Sequence, residues 1–240
     1  MKDREIDAIL NQAAQAPHDV DPALLASIAN SLGRSLSPVR PLAPAWALVG
    51  GLMLICAAVA LAGAARLGLY GIQGMTVWDR ALILSTLGTL GWLAATARVS
   101  EMIPGSRRGV PPGRLLAAGT LALVAVFAIL FRDYHTHSFV HQGVACLAAG
   151  LFHAVPVALA SWLLLRRGFA VNAVAAGLAA GTLAGMAGVT MLELHCPNFE
   201  ALHVMLWHTA VVPVSGAAGA LLAWLRSLRA GVGDPALRGD

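Results

Sequence analysis

Long apolar runs separated by short polar segments dominate the chain after residue 44. Six of these runs are about 20 residues long, which is the length an α-helix needs to cross the ~30 Å hydrocarbon core of a bilayer. They cover approximately residues 45–67, 80–96, 114–131, 144–165, 171–194 and 201–225. We therefore predict an all-α protein, a six-span transmembrane helix bundle in which the second span is the shortest.

The first 43 residues follow a different pattern, in which apolar residues recur at helical spacing among polar ones. One helix is predicted over about residues 3–14. A second is predicted from Asp21, a suitable N-cap, and Pro22, at the first helical position, to about Leu36. The apolar stripes comprise Ile6, Ile9, Leu10 and Ala13 in the first helix, and Leu24, Leu25, Ile28, Leu32 and Leu36 in the second.

Each stripe needs a surface to pack against, because helices this short are marginal alone in water. The candidates are the other helix, the groove of a partner protein and the membrane surface. Asp3, Glu5 and Asp7 argue against the membrane surface, because helices that lie there usually carry a basic polar face. The other two alternatives stay open.

The distribution of basic residues predicts the orientation. Of the 16 Lys and Arg, only Arg66, Arg80 and Arg132 fall on one side of the membrane. By the positive-inside rule the opposite side is cytoplasmic, and both termini lie there. The predicted organisation is a cytoplasmic region over 1–43, a transmembrane domain over 44–226 and a cytoplasmic tail over 227–240.

Composition agrees with lipid as the main solvent. Apolar residues make up 58 % of the chain, and charged residues only 12 %, about half the usual share. A soluble protein of this size could not bury so much apolar surface. The net charge of +4 does not indicate direct contact with nucleic acid, because the basic residues form no dense run.

Two of the three cysteines are predicted to meet on the outer side. Cys56 lies in the middle of the first span, where it acts as a small apolar filler. Cys146, in the first turn of the fourth span, and Cys196, after the fifth, reach the same depth. They form a disulfide if their Cα atoms come within about 7 Å, or stay free thiols that react with oxidants or soft metal ions. An inert structural role is the remaining alternative.

The histidines suggest a metal site near these thiols. All except His18 lie in the outer connections or in spans four to six, and ionisable residues within spans usually face the bundle interior. Imidazoles, thiolates and the carboxylate of Glu193, at the rim of the fifth span, suit a transient Zn²⁺ or softer divalent cation. The candidate ligands are Cys146, Cys196, His153, His195, His203 and His208. We expect His135, His137 and His141 to be solvated in a loop.

Enzymatic activity is not expected. The chain has no C-x-x-C, H-E-x-x-H, G-x-S-x-G or Walker motif. Two other functional classes remain as alternatives. One is a small metal-ion or solute transporter that uses the histidines of the fourth and sixth spans. The other is a membrane thiol oxidoreductase that uses Cys146 and Cys196.

Several features occur together in a familiar order. Six spans follow a short N-terminal region, and Leu-Arg-Arg-Gly (165–168) ends the fourth span. A glycine-rich fifth span is followed by His195-Cys196-Pro197, His203 and Trp207-His208. This arrangement resembles the NrsF-like family of membrane-bound negative regulators of bacterial extracytoplasmic-function (ECF) sigma factors.

The resemblance implies an anti-sigma factor of the bacterial inner membrane. Its cytoplasmic N-terminal region would sequester an ECF sigma factor and keep it from RNA polymerase. The residues expected to make this contact are Ile6, Ile9, Leu10, Leu24, Leu25, Ile28 and Leu32. The resemblance also implies that Cys146 and Cys196 sense metal or oxidative stress.

Overall fold

The protein has two units by its internal contacts, Met1–Pro41 and Leu42–Asp240. The computed structural model describes residues 21–35, 43–103, 109–135, 139–165, 170 and 172–232, without the side chains of 32–35 and 229–232. The helix predicted over 3–14, with Ile6, Ile9 and Leu10, lies outside the described residues.

The described part of the first unit is one helix, Pro22–Ser35. Asp21 caps it, because its Oδ1 accepts a hydrogen bond of 2.8 Å from the N–H of Ala23. Pro22 follows at the first helical position, where its missing N–H costs nothing. All described side chains from 21 to 31 are exposed, and the large apolar ones on the predicted stripe remain 45–53 % exposed.

The described part of the second unit is helical apart from short connections and one isolated β-bridge. Six helices are long and apolar enough to cross a membrane, which confirms the all-α class and the number of spans. They are Ala45–Leu67, Val77–Ser100, Pro112–Leu130, Phe139–Leu165, Ala173–His195 and Ala201–Leu228. A short helix, Tyr70–Gly74, lies between the first and second spans, and the last helix continues to Val232.

The second span is not the shortest, so that prediction was wrong. It has 24 residues, whereas the third span has 19. The second span is longer than predicted because the helix includes polar residues at both ends of the apolar run. Thr76 and Asp79 form a capping box that starts the helix ahead of Arg80, and the helix continues past Arg98.

The fourth span begins at Phe139, five residues before the predicted start. Its first turn contains His141 and Gln142, polar residues that end an apolar run in the sequence without ending the helix. Two predictions are corrected as a result. Cys146 lies about two turns into the helix and not in its first turn, and His141 is an exposed helical residue and not part of a loop.

The fifth span is the centre of the bundle. In its most apolar window 67 % of the residues are buried, against 22–44 % in the other five spans. Its glycines at four-residue spacing predict close helix contact, and the structure confirms it. A Cβ at Gly181 would overlap the carbonyl oxygen of Ser215 in the sixth span, and one at Gly188 would overlap that of Gly150 in the fourth.

The connections after the first, third and fifth spans meet at one end of the bundle. Gly71, in the short helix after the first span, packs against the backbone of Glu193 and Cys196. The N–H of Ala201 donates to the carbonyl of Asp133, which follows the third span. This end of the bundle therefore has a layer of packed backbone over the termini of the fifth and sixth spans.

Candidate functional site

Two thiols and two imidazoles from three consecutive spans meet at this end of the bundle. Cys146 comes from the fourth span, Cys196 from the end of the fifth, and His203 and His208 from the sixth. One ligand atom of each lies within 4.8 Å of those of the other three. We call these four residues the Cys–His cluster.

The Cys–His cluster is compact and almost closed to solvent. The two sulfurs are 3.7 Å apart and not bonded, and the sulfur of Cys196 is 3.8 Å from Nε2 of His203. The rings of His203 and His208 meet edge to face with centroids 5.2 Å apart. Cys196, His203 and His208 are buried, and Cys146 is partly exposed.

Cys196 is fixed in place by the end of the fifth span. Its N–H donates to the carbonyl of Leu192 at 2.7 Å, and Pro197 follows, which disfavours helical geometry at Cys196. The sulfur contact with Cys146 and burial raise the pKa of the Cys196 thiol, although the imidazoles of His203 and His208 act in the opposite direction. A metal ion bound at this sulfur would favour the deprotonated thiolate.

A π-helical turn, Val204–His208, brings the two histidines together. In an α-helix, side chains five residues apart point about 140° away from each other. Here the N–H of Thr209 reaches back to the carbonyl of Val204, so the turn is wider and both rings lie on the same side. Pro213 deprives the carbonyl of Thr209 of its helical donor, which weakens the α-helix just after the π turn.

Glu193 lies in the last turn of the fifth span, at the rim where it is predicted, and it is buried beside the Cys–His cluster. Only 3 % of the residue is exposed, and its Oε1 is 2.6 Å from Nδ1 of His208. It is not among the residues whose ligand atoms converge. In the sequence, the contact of Glu193 with His208 is indicated only by an acidic residue near the end of an apolar run.

The Cys–His cluster fits a soft divalent ion. Four ligands around a tetrahedral Zn²⁺ lie about 3.3–3.8 Å from one another, because Zn–N and Zn–S bonds are about 2.0–2.3 Å long. The Sγ–Sγ and Sγ–Nε2 distances of 3.7 and 3.8 Å already match this spacing. Nε2 of His208 is buried without a hydrogen-bond partner among the described residues, so an ion that displaces any proton there would supply the missing partner.

Two of the predicted ligands lie elsewhere. Nδ1 of His153 contacts the carbonyl of Ala149 at 2.8 Å, and the rest of its ring packs against Gly63 of the first span. Nδ1 of His195 contacts the carbonyl of Gly68 at 3.0 Å. Both histidines hold helices and connections together at the site's periphery, and neither belongs to the Cys–His cluster.

The other chemically reactive residues are also separate from the Cys–His cluster. Cys56 is buried in the first span and lines an apolar crevice of about 140 Å³ with Met53 and Met186. His135 is exposed in the connection after the third span, where it donates a hydrogen bond from Nδ1 to the carboxylate of Asp133, and this contact raises the pKa of His135. His137 lies outside the described residues.

The candidate partner-binding residues belong to the first unit, Met1–Pro41. Leu24, Leu25 and Ile28 share one exposed side of the helix Pro22–Ser35. Leu32 is part of that helix, but its side chain is outside the described part of the chain. Ile6, Ile9 and Leu10 lie entirely outside the described part of the chain.

Comparison with known protein families adds what the geometry alone does not contain. The sequence matches the family described as NrsF, negative regulator of sigma F, over residues 32–229. This is well over half of the chain. The protein belongs to the NrsF family. No curated protein and no solved structure matches it.

Membership of the NrsF family identifies the general class as negative regulation of a sigma factor, which agrees with the expected absence of enzymatic activity. The matched region contains all six spans and the whole Cys–His cluster. Most of the N-terminal region precedes the match, including Leu24, Leu25 and Ile28.

Proposed function

We propose that the protein is an integral-membrane anti-sigma factor with a metal-responsive switch. Its N-terminal region holds an ECF sigma factor at the bacterial inner membrane and keeps it from RNA polymerase. A soft divalent cation or an oxidant acts on Cys146 and Cys196, and the sigma factor is released. The observation that carries the proposal is the convergence of two thiols and two imidazoles in one buried cluster, within a chain of the NrsF family.

The helix Pro22–Ser35 supports the sigma-binding part of the proposal. Its apolar side is exposed, so burial of Leu24, Leu25 and Ile28 against a partner would be favourable by about 1–2 kcal/mol for each side chain. An amphipathic helix that lies in an apolar groove is a common mode of protein recognition. The binding region therefore comprises residues 1–43, with Ile6, Ile9, Leu10 and Leu32 as further contacts.

The distribution of basic residues supports the proposed orientation. At the end of the bundle that contains the Cys–His cluster, the described connections have few basic residues. These are Arg66, Arg80 and Arg132. By the positive-inside rule this end faces outward and both termini face the cytoplasm. Cys146 and Cys196 then face the compartment from which metals and oxidants arrive.

Geometry favours a metal ion over a disulfide as the primary signal. Ligand atoms that are 3.7–3.8 Å apart need little movement to coordinate Zn²⁺ or a softer cation. A disulfide requires the two sulfurs to approach to about 2 Å, and it releases two protons and two electrons to an external oxidant. Two thiolates also neutralise a divalent ion, which suits a buried site.

The signal is transmitted through the packing of the spans. A bound ion joins the fourth, fifth and sixth spans, and His153 and Met191 of the fourth and fifth contact the first span at Gly63. The first span follows the sigma-binding region directly in the chain. A tenfold rise in free sigma factor requires the ion to favour the releasing state by only about 1.4 kcal/mol, within the usual range of coupling energies.

A reporter of the cognate sigma factor tests the sensing role. In cells challenged with Zn²⁺, Cd²⁺ or hydrogen peroxide, we expect the double variant Cys146→Ser/Cys196→Ser to lose induction by more than tenfold. Cys56→Ser is the matched control, because Cys56 is a buried cysteine outside the Cys–His cluster, and it should respond normally. Normal induction in the double variant would refute the sensing role.

A further inference from the structure

Glu193 is a carboxylate where a carboxylate is costly. It lies in the last turn of the fifth span and is 3 % exposed, between the buried residues Leu192 and Leu194. Burial of a charged group in apolar surroundings requires a compensating partner. Among the described residues, that partner is the imidazole of His208, whose Nδ1 is 2.6 Å from Oε1 of Glu193.

This contact determines which nitrogen of His208 remains for a ligand. The carboxylate accepts a hydrogen bond from Nδ1, so the proton is fixed on that side of the ring. Nε2, at the other edge, is buried and has no hydrogen-bond partner in the described part of the chain. A carboxylate that holds a ligating imidazole in this way is typical of protein metal sites.

His203 has no equivalent support. Its Nε2 is 3.8 Å from the sulfur of Cys196, but its Nδ1 is buried without a hydrogen-bond partner among the described residues. The two imidazoles of the Cys–His cluster are therefore unequal. His208 is held by a side chain outside the cluster, whereas the hydrogen bond described for the His203 ring is the one with Cys196, itself a member of the cluster.

We propose that Glu193 is the positioning residue of the metal site. It holds the His208 ring with Nε2 directed at the ion, so that His208 is a preorganised ligand. This inference rests on the proposed function, because it requires the Cys–His cluster to bind a metal. Glu193 itself does not coordinate the ion.

Binding of Co²⁺ to the full-length protein in detergent tests the inference, because tetrahedral Co²⁺ with thiolate ligands has a visible spectrum. We expect Glu193→Gln to weaken Co²⁺ binding by about 10–100-fold, as for other outer partners of metal ligands. Glu200→Gln is the matched control. It makes the same change seven residues along the chain, outside the Cys–His cluster, and should leave the affinity unchanged within twofold.

A double-mutant cycle separates positioning from a general structural effect. If Glu193 acts through His208, the variant Glu193→Gln/His208→Ala should bind Co²⁺ no more weakly than His208→Ala alone. Losses that multiply in the double variant would overturn the inference, and so would unchanged affinity in Glu193→Gln. Absence of Co²⁺ binding by the wild-type protein would overturn the proposed metal site, and the inference with it.

A second substitution keeps the inference testable if Glu193→Gln does not fold. Glu193→Asp retains the charge but withdraws the carboxylate by one methylene group, so it should also weaken Co²⁺ binding. Thermal unfolding of each variant without metal measures folding separately. An affinity loss that only follows the loss of thermal stability would contradict the positioning role.

Discussion

The Cys–His cluster and the helix Pro22–Ser35 differ in how far their side chains are buried. In the cluster, three of the four residues are at most 6 % exposed, and each is in contact with another member. In the helix, Leu24, Leu25 and Ile28 are about half exposed. The cluster side chains are covered by one another and by the spans, whereas no other residue described in 21–35 covers the apolar side of the helix.

This difference matches the two tasks in the proposed function, which are metal sensing and sigma-factor binding. A sensor of metal ions gains affinity when its ligands are held near their final positions, because less ordering is needed on binding. A segment that must bind and then release a protein benefits from an apolar surface that is available in the free state. Variants of the Cys–His cluster and of the helix Pro22–Ser35 can test this contrast between a preformed site and an exposed apolar surface.

The largest expected effect is on capture of the sigma factor. Leu25→Asp/Ile28→Asp introduces two charges on the apolar side of the helix, and burying them against a partner would be strongly unfavourable. We expect the full-length variant to lose co-purification of the cognate sigma factor. Ala23→Asp/Ser27→Asp adds the same charge to the other side of the helix, and this variant should still co-purify with the sigma factor. Equal capture by both variants would mean that this side of the helix is not the binding surface.

The next effect concerns metal affinity. His203→Ala removes a ligand and should weaken Co²⁺ binding by at least about 100-fold, the upper end of what a lost outer partner costs. His195→Ala removes a partly buried histidine whose Nδ1 contacts a backbone carbonyl instead. Titration of both variants in detergent should show near-normal affinity for His195→Ala. If His195→Ala weakens Co²⁺ binding more than His203→Ala does, the proposed ligand set is wrong.

A smaller effect is expected on the packing that keeps the Cys–His cluster rigid. Gly188→Ala inserts a methyl group against the backbone of Gly150 and should destabilise the bundle by about 1–3 kcal/mol. Gly88→Ala is the matched control, because a Cβ there meets nothing within 4 Å. Thermal unfolding in detergent measures both. If Gly188→Ala is as stable as the wild-type protein and binds metal equally well, close packing of the fourth and fifth spans is not required for stability or for metal binding.

The smallest effect concerns the exposed His135. Its hydrogen bond with Asp133 raises its pKa, so an NMR titration should give a midpoint above 6.5, and Asp133→Asn should lower it. Because the folded-state pKa is the higher one, this contact stabilises the fold below about pH 6.5 and is lost as pH rises through the folded-state value. Co²⁺ affinity should not change in Asp133→Asn. A change would link this connection to the Cys–His cluster.

Part of the site could be predicted from local sequence and part could not. Cys146 and Cys196 were paired correctly in space because alternation of spans assigns each end of a helix to one side of the membrane. His153 was predicted on the Cys146 side by counting helical turns, but its ring packs against Gly63. Counting turns gives a position along a helix, and only the neighbouring helices determine where a side chain finds room.

The amino-acid sequence alone determined the six spans and the helix capped by Asp21, because apolar run length and capping are local properties of the chain. The tertiary structure decided which histidines join the thiols. The π turn at Val204–His208 rotates His203 and His208 onto one side of the sixth span, and packing of the fifth span puts Glu193 against His208. Helix rotation and register depend on contacts between residues distant in the chain, so no pattern within a single span encodes them.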